Sequence, residues 1–206
     1  NLELPSYTAS RELCAIGGMV SNNSGGEKNL KYGKTARYLE EMDIVLSDGK
    51  VHTLKNLIGS ALDTKLKEEG FEGDIYRRMS RLLTSHETLI RERTPKVEKN
   101  SAGYALWDIG DGIRSLNLAR LVVGAQGTLG ITTKVKLKLV HPKKYSAMAI
   151  LFVRDLKELS ELVPEVLTHK PDSFESYDDH VIYLVAKYFP EFVAQMKTNL
   201  ISVGLK

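Results

Sequence analysis

Residues 15 to 26 run Ala15, Ile16, Gly17, Gly18, Met19, Val20, Ser21, Asn22, Asn23, Ser24, Gly25 and Gly26. Four glycines and four small hydroxyl or amide side chains in so short a run let the main chain turn sharply and aim several N–H groups into one concavity. Ser21, Asn22, Asn23 and Ser24 add side-chain donors, so the run suits a phosphate or a polar heterocycle. The same residue types also build ordinary tight turns. Neither Gly-x-Gly-x-x-Gly opening a helix nor Gly-Lys-Ser/Thr occurs here, which argues against the standard dinucleotide and P-loop patterns.

A second cluster, Gly124, Ala125, Gln126, Gly127, Thr128, Leu129, Gly130 and Ile131, lies about a hundred residues further on, just before an alternating strand pattern. Glycines at a strand entrance often mark only a bulge. Two such clusters folded together would line one ligand, and it is the pair that points to a binding site. The remaining chemical side chains point elsewhere. His52, His86, His141, His169 and His180 lack metal-ligand spacing and read as structural or solvated, so no metal site is expected. Asp178, Asp179 and His180 read as a helix start capped by Asp179. Cys14 has no basic neighbour to activate it and reads as a small hydrophobe. Tyr104 and Trp107 read as ordinary core packing in preference to a border of the ligand, and Tyr32 as a support for the first glycine run.

The elements that position these clusters follow from periodicity. Residues 42–47, Asp48-Gly49 and residues 50–54 read as a hairpin with a two-residue type I′ turn. Helices are expected over 61–69, ended by Gly70, and over 74–93, with Asp74 as N-cap and Ile75, Met79, Leu82, Leu83, Leu89 and Ile90 on one face. Residues 133–140 alternate, with Val135, Leu137 and Leu139 on one side and Lys134, Lys136 and Lys138 on the other. Beyond Pro142 the continuous apolar run 147–153 reads as a strand, and Asp155 opens a helix that Pro164 should kink or split. A short strand at 174–177 and a helix from Asp179 towards Met196 complete the pattern. Residues 1–143 and 144–206 are therefore read as separate domains.

Composition narrows the classes. The chain has 206 residues, 42% of them hydrophobic, enough for a real core. Its net charge of +3 comes from 29 basic residues interleaved with 26 acidic ones, without the basic stripe that nucleic-acid binding requires. No apolar run approaches the ~20 residues of a membrane span, and no stretch reads as a signal peptide. One cysteine fits a reducing, cytoplasmic compartment. The extended start without methionine and the stop after a helical pattern read as the ends of a fragment.

Taken together, Ser10 to Gly26, Tyr32-Gly33, Asp43 to Gly49 and Gly124 to Ile131 closely resemble the FAD-linked oxidases of the vanillyl-alcohol oxidase and p-cresol methylhydroxylase (PCMH) type. Within them the likeness is greatest to the D-lactate or glycolate dehydrogenase and alkyldihydroxyacetonephosphate synthase branch. It covers roughly residues 4–140, and Asn100 to Trp107 is also similar to a segment of the dehydrogenase-like members. The resemblance implies an α+β fold: the second subdomain of a PCMH-type FAD-binding domain, a mixed or antiparallel sheet flanked by helices, plus the start of an α/β cap. It implies FAD as cofactor. Ser10, Ala15, Ile16, Gly17 and Gly18 would lie beside the flavin, and Ser21, Asn22, Asn23, Ser24 and Gly25 near the flavin or pyrophosphate. Gly124, Gly127, Thr128, Leu129, Gly130 and Ile131 would meet the nucleotide side. Ala15 stands where Thr is usual, and Gln126 where Glu is frequent. The other FAD subdomain and the cap's catalytic residues would lie outside the chain. The parent would oxidise a 2-hydroxy acid such as D-lactate or glycolate by hydride transfer to flavin, pass electrons to an acceptor the sequence does not identify, and be cytoplasmic or peripheral to a membrane. The fragment alone would be inactive and bind FAD weakly or not at all. A non-catalytic α+β scaffold and a synthase-like flavoenzyme are the alternatives.

Overall fold

The computed structural model describes residues 1–97, 100–191 and 194, in two units, Asn1–Ser173 and Phe174–Lys206. In the first unit a short helix α1 (Ile16–Ser21) and a single turn α2 (Asn29–Tyr32) carry the first glycine run. Then come β1 (Leu39–Val45), β2 (Val51–Ile58), α3 (Ser60–Lys67), α4 (Phe71–Ser85) and α5 (Glu87–Arg93). β3 (Ser115–Asn117), α6 (Leu118–Val122), β4 (Ile131–Leu137) and α7 (Leu159–Thr168) complete the unit.

The four strands form one antiparallel sheet in the order β3-β2-β1-β4, and the fold is α+β. In β1 alternation decides which face is buried. Met42 and Ile44 of β1 and Leu54 and Leu57 of β2 point inward, where Leu62 of α3, Tyr76 and Leu83 of α4, and Leu118, Ala119 and Val122 of α6 close over them. Each fully buried side chain of this size contributes roughly 1.5–3 kcal/mol. The opposite face is wet: Asp43 accepts a hydrogen bond from Thr53 Oγ1 at 2.8 Å and faces Lys134 at 3.6 Å. Lys134 and Lys136 stand on this side of β4, as the alternation in 133–140 requires.

The hairpin forms, but its turn differs and shifts the register by one: Met42 stands opposite Leu54, where a two-residue turn at residues 48–49 would set it opposite Lys55. Gly49 N donates to Leu46 O at 3.0 Å, Leu46 N donates to Lys50 O at 3.2 Å, and Gly49 alone takes a positive φ of 73°. This is a three-residue loop, a type I turn closed by a left-handed glycine, not the two-residue type I′ turn. Asp48 stays at negative φ and bonds Lys50 N through its side chain, which favours the longer loop.

The helix expected over 74–93 begins earlier and is broken. Gly70 is the N-cap of α4, so Asp74 lies inside the first turn, and α3 ends at Lys67 without Gly70's help. The break falls at His86 (φ −123°, ψ 20°), just after Thr84, whose hydroxyl bonds the carbonyls of Ser80 and Arg81. Hydroxyl side chains that compete for helix carbonyls weaken the ladder at that point. Arg77 joins α4 to α3 by donating to the otherwise orphaned carbonyls of Leu66 and Glu68.

Residues 147–153 do not form a strand. Met148 and Phe152 are 87% and 92% exposed, and among the described residues no neighbouring strand offers the ladder that an extended apolar segment needs. Asp155 does cap the following turn, accepting from Lys157 N at 2.9 Å, and α7 passes Pro164 without interruption. In the second unit the strand expected at 174–177 is absent, and α8 (Asp179–Tyr188) is capped by Asp178, not Asp179, through a 2.8 Å bond to Val181 N. Residues 192, 193, 195 and 196 of the further helical stretch towards Met196 lie outside the described residues.

Candidate functional site

The first glycine run folds as α1 followed by a tight return. The turn before it is set by Ser10, whose carbonyl accepts from Leu13 N and Cys14 N and whose hydroxyl meets Thr8 Oγ1 at 3.0 Å. Ala15, Ile16, Gly17 and Gly18 are all exposed, while Met19 and Val20 turn into the core. The first N–H groups of α1 have no partner within the helix, as at any helix start, and no side chain caps Ala15. Asn22 closes the helix by donating its N–H to Gly18 O.

The remaining small residues are used internally. Asn23 Oδ1 accepts from Ala36 N at 3.0 Å, and Ser24 O accepts both Thr35 N (2.9 Å) and Thr35 Oγ1 (2.7 Å). Thr35 is fully buried. Residues 34–36 thus brace the loop, a role the sequence reading missed; a buried threonine two residues after a glycine is too common a pattern to signal it. Tyr32 contributes its carbonyl, which accepts the Tyr38 hydroxyl at 2.7 Å.

The glycines divide into two kinds. A Cβ on Gly17 or Gly18 would meet nothing within 4 Å. A Cβ on Gly26 would collide with the carbonyl of Tyr7, and one on Gly25 with the Asn29 side chain. Packing therefore explains Gly25 and Gly26, whereas no contact within the chain requires Gly17 and Gly18 to lack side chains.

The two clusters meet through the main chain. Gly124 N donates to Val20 O at 3.0 Å and Gln126 N donates to Ser21 O at 2.9 Å. Asn23 Cβ stands 3.3 Å from where a Gly124 Cβ would be. Gln126 and Gly127 both take positive φ, 53° and 79°, and both are exposed. Thr128 N and Oγ1 both donate to Ala125 O, at 3.0 and 2.5 Å. Leu129 packs against the core, Gly130 passes 2.6 Å (measured from an added Cβ) from Val45 O, and Ile131 begins β4 opposite Val45. The result is one polar, backbone-lined wall. Its open stretches are Ala15 to Gly18 and Gln126 to Thr128.

Of the other residues considered, Cys14 is half-buried with Thr8 Oγ1 3.3 Å from its sulfur. Tyr104 donates to Thr128, and Trp107 is 39% exposed. His52 is held between two carboxylates, Nε2 2.9 Å from Asp48 Oδ2 and Nδ1 3.1 Å from Glu72 Oε2. Burial works against its charge, yet the two carboxylates outweigh burial and raise its pKa above the usual histidine value. Lys65 Nζ reaches Glu72 at 3.0 Å and Glu68 at 2.7 Å, so this is a structural ion network far from the wall in sequence. His180 lies 3.1 Å from Asp179 on an exposed surface.

An exposed, glycine-lined backbone with free helix-start N–H groups fits the phosphates and polar edges of a dinucleotide, and comparison with known proteins agrees. Residues 1–55, from the chain start through the hairpin, match the family model described as FAD binding domain. The chain is 28% identical over 185 residues to a D-2-hydroxyglutarate dehydrogenase of Pseudomonas putida, an alignment covering 85% of this chain and 18% of the relative. It is 25% identical to the glycolate oxidase subunit GlcD of Bacillus subtilis, over 89% of this chain and 29% of the relative. It is also 25% identical to a D-lactate dehydrogenase of Anaerostipes hadrus, over 94% of this chain and 30% of the relative. The chain thus spans less than a third of the length of each of these. No helix among the described residues is long and apolar enough to cross a membrane. Residues 1–55 thus carry an FAD-binding domain match, the glycine wall and the antiparallel sheet behind it are consistent with a PCMH-type FAD-binding subdomain, and the chain is partial relative to the proteins it resembles.

Proposed function

We propose that residues 1–143 form one wall of the FAD site of a cytoplasmic oxidoreductase acting on a 2-hydroxy acid, and that residues 144–206 begin its substrate-binding cap. The observation that carries this reading is the joining of two distant glycine clusters by Gly124 N to Val20 O and Gln126 N to Ser21 O. The names of the relatives, dehydrogenases of D-2-hydroxyglutarate and D-lactate and a glycolate oxidase subunit, supply the substrate class.

In this reading Ala15, Ile16, Gly17 and Gly18 give main-chain contacts to the flavin side, with Ser10 setting the turn that presents them. Ser21, Asn22, Asn23, Ser24 and Gly25 shape the loop beneath the pyrophosphate. Gly124, Gly127, Thr128, Leu129, Gly130 and Ile131 face the nucleotide. Bound FAD would supply the acceptor for a hydride leaving the hydroxyl-bearing carbon of the substrate. This chain's part is to bind, orient and exclude water. The open faces of Gly17 and Gly18 allow close approach, which a side chain would block.

The test is to purify the intact polypeptide that carries this sequence, measure its flavin by absorbance, and add D-2-hydroxyglutarate, D-lactate or glycolate without oxygen. Bleaching of the flavin by one of the D-2-hydroxy acids is the expected outcome. A protein that takes up no FAD would falsify the reading.

A further inference from the structure

The loop from Asn100 to Trp107 is tied to Lys34, just beyond the first half of the wall, and to Thr128 in the second. At one end Lys34 Nζ, which follows the first glycine run, donates to Asn100 O and, at 2.6 Å, to Ser101 Oγ. Towards the other end the Tyr104 hydroxyl meets Thr128 Oγ1 at 2.8 Å, in the second cluster. The direction of that bond follows from its neighbour. Thr128 Oγ1 lies 2.5 Å from Ala125 O, a carbonyl that only accepts, so the threonine proton is committed there. Tyr104 must then be the donor, and the order is Tyr104 O–H to Thr128 Oγ1, Thr128 O–H to Ala125 O.

This relay acts on the least supported part of the wall. Gln126 and Gly127 are consecutive residues at positive φ, exposed to solvent, and a Cβ at Gly127 would touch nothing. A non-glycine residue in that region is strained and persists only where its surroundings fix it. On one side the fixing contact is Gln126 N to Ser21 O. On the other it is Thr128, clamped between Ala125 and Tyr104.

We propose that Tyr104 is a positioning residue for FAD: through Thr128 it holds Gln126 and Gly127 in the conformation that presents their backbone to the dinucleotide. The inference rests on the FAD reading above. Tyr104 acts through Thr128 and is not a catalytic residue.

The experiment uses the intact polypeptide and the variants Y104F, T128V, T128S and Y104F/T128V, with two readouts. The first is amide hydrogen exchange over 124–131 in flavin-free protein. The second is the dissociation constant for FAD from flavin fluorescence. Loss of one structural hydrogen bond corresponds to about a tenfold effect, so Y104F should speed exchange and weaken FAD by about that factor, and T128V, which loses both bonds of the relay, by at least as much. T128S, which keeps the hydroxyl, should behave like the natural protein, and the double variant should be no worse than T128V alone. Unchanged exchange in Y104F would overturn the relay. Faster exchange with unchanged FAD affinity would overturn the positioning role. Absence of FAD binding in the natural protein would instead sink the underlying reading, and the exchange result would stand apart from it.

Discussion

His52 Nδ1 lies 3.1 Å from Glu72 Oε2, so a single imidazole fastens the β1–β2 hairpin to the first turn of α4. Its other nitrogen is against Asp48, and a ring with a carboxylate at each nitrogen is satisfied only as the two-donor imidazolium. Against the opposing effect of burial, these carboxylates raise the pKa of His52 above 6.5, the Lys50 N–H together with the ring lowers that of Asp48 below 3.8, and the ring together with Lys65 lowers that of Glu72 below 4.5. The raised histidine contributes stability that is fully present below 6.5 and is lost as pH rises through its folded value. The depressed carboxylates contribute stability present above their unfolded values and lost as pH falls through the folded ones. Between about pH 4.5 and 6.5 all three contributions coincide. Urea melts of H52Q against the natural protein should differ most in that window and converge above it. A difference that grows towards pH 9 would refute the assignment.

The division of the glycines predicts opposite phenotypes for two alanine substitutions. G26A forces a Cβ into the carbonyl of Tyr7 and should lower the melting temperature clearly, by an amount in keeping with the 1–3 kcal/mol typical of overpacking. G17A adds a methyl group to open space in a helix and should leave stability unchanged or slightly better. Its cost should appear in FAD affinity. Thermal unfolding and flavin titration of the pair separate the two roles; equal loss of stability would contradict the distinction.

Thr35 supports the wall from behind. T35V keeps the backbone N–H bond to Ser24 O but removes the hydroxyl bond, in a fully buried place. A loss of about 1–2 kcal/mol in unfolding free energy is expected, together with weaker FAD binding. T35S should recover most of both. An unchanged T35V protein would show that the brace is dispensable.

Asp111 organises the turn into β3. Its carboxylate accepts from Ile113 N, Arg114 N and Ser115 N and from Arg114 Nε. Although some burial opposes its charge, these donors hold its pKa far below the usual carboxylate range. D111A should cost about 1–2 kcal/mol, read from chemical denaturation, and the natural protein's advantage should persist down to strongly acidic pH.

How much of this could be read from the chain depended on how local the cause was. Alternation gave the faces of β4 because Val135 and Leu137 repeat with the period of the pleat. The turn at Gly49 was misjudged because Asp-Gly serves two loop lengths, and the choice lies in how Leu46 and Lys50 pair. The helix break at His86 was missed because hydrophobic spacing continues across it from Leu83 to Ile90 while Thr84 diverts the carbonyls. Residues 147–153 have the composition of a strand, but composition names no partner. The glycine clusters were visible, while their bracing by Thr35 and Tyr104 was not, since single hydroxyls far away in sequence leave no period to detect.

The two hydrogen bonds that join the clusters use only peptide atoms: Gly124 and Gln126 donate, Val20 and Ser21 accept. Any residue except proline carries the same donor, and every residue the same acceptor. The joint between the clusters therefore does not depend on the side chain of Gln126. Inheritance here runs through the peptide backbone, so proline at position 124 or 126 is the substitution to which this surface is most vulnerable.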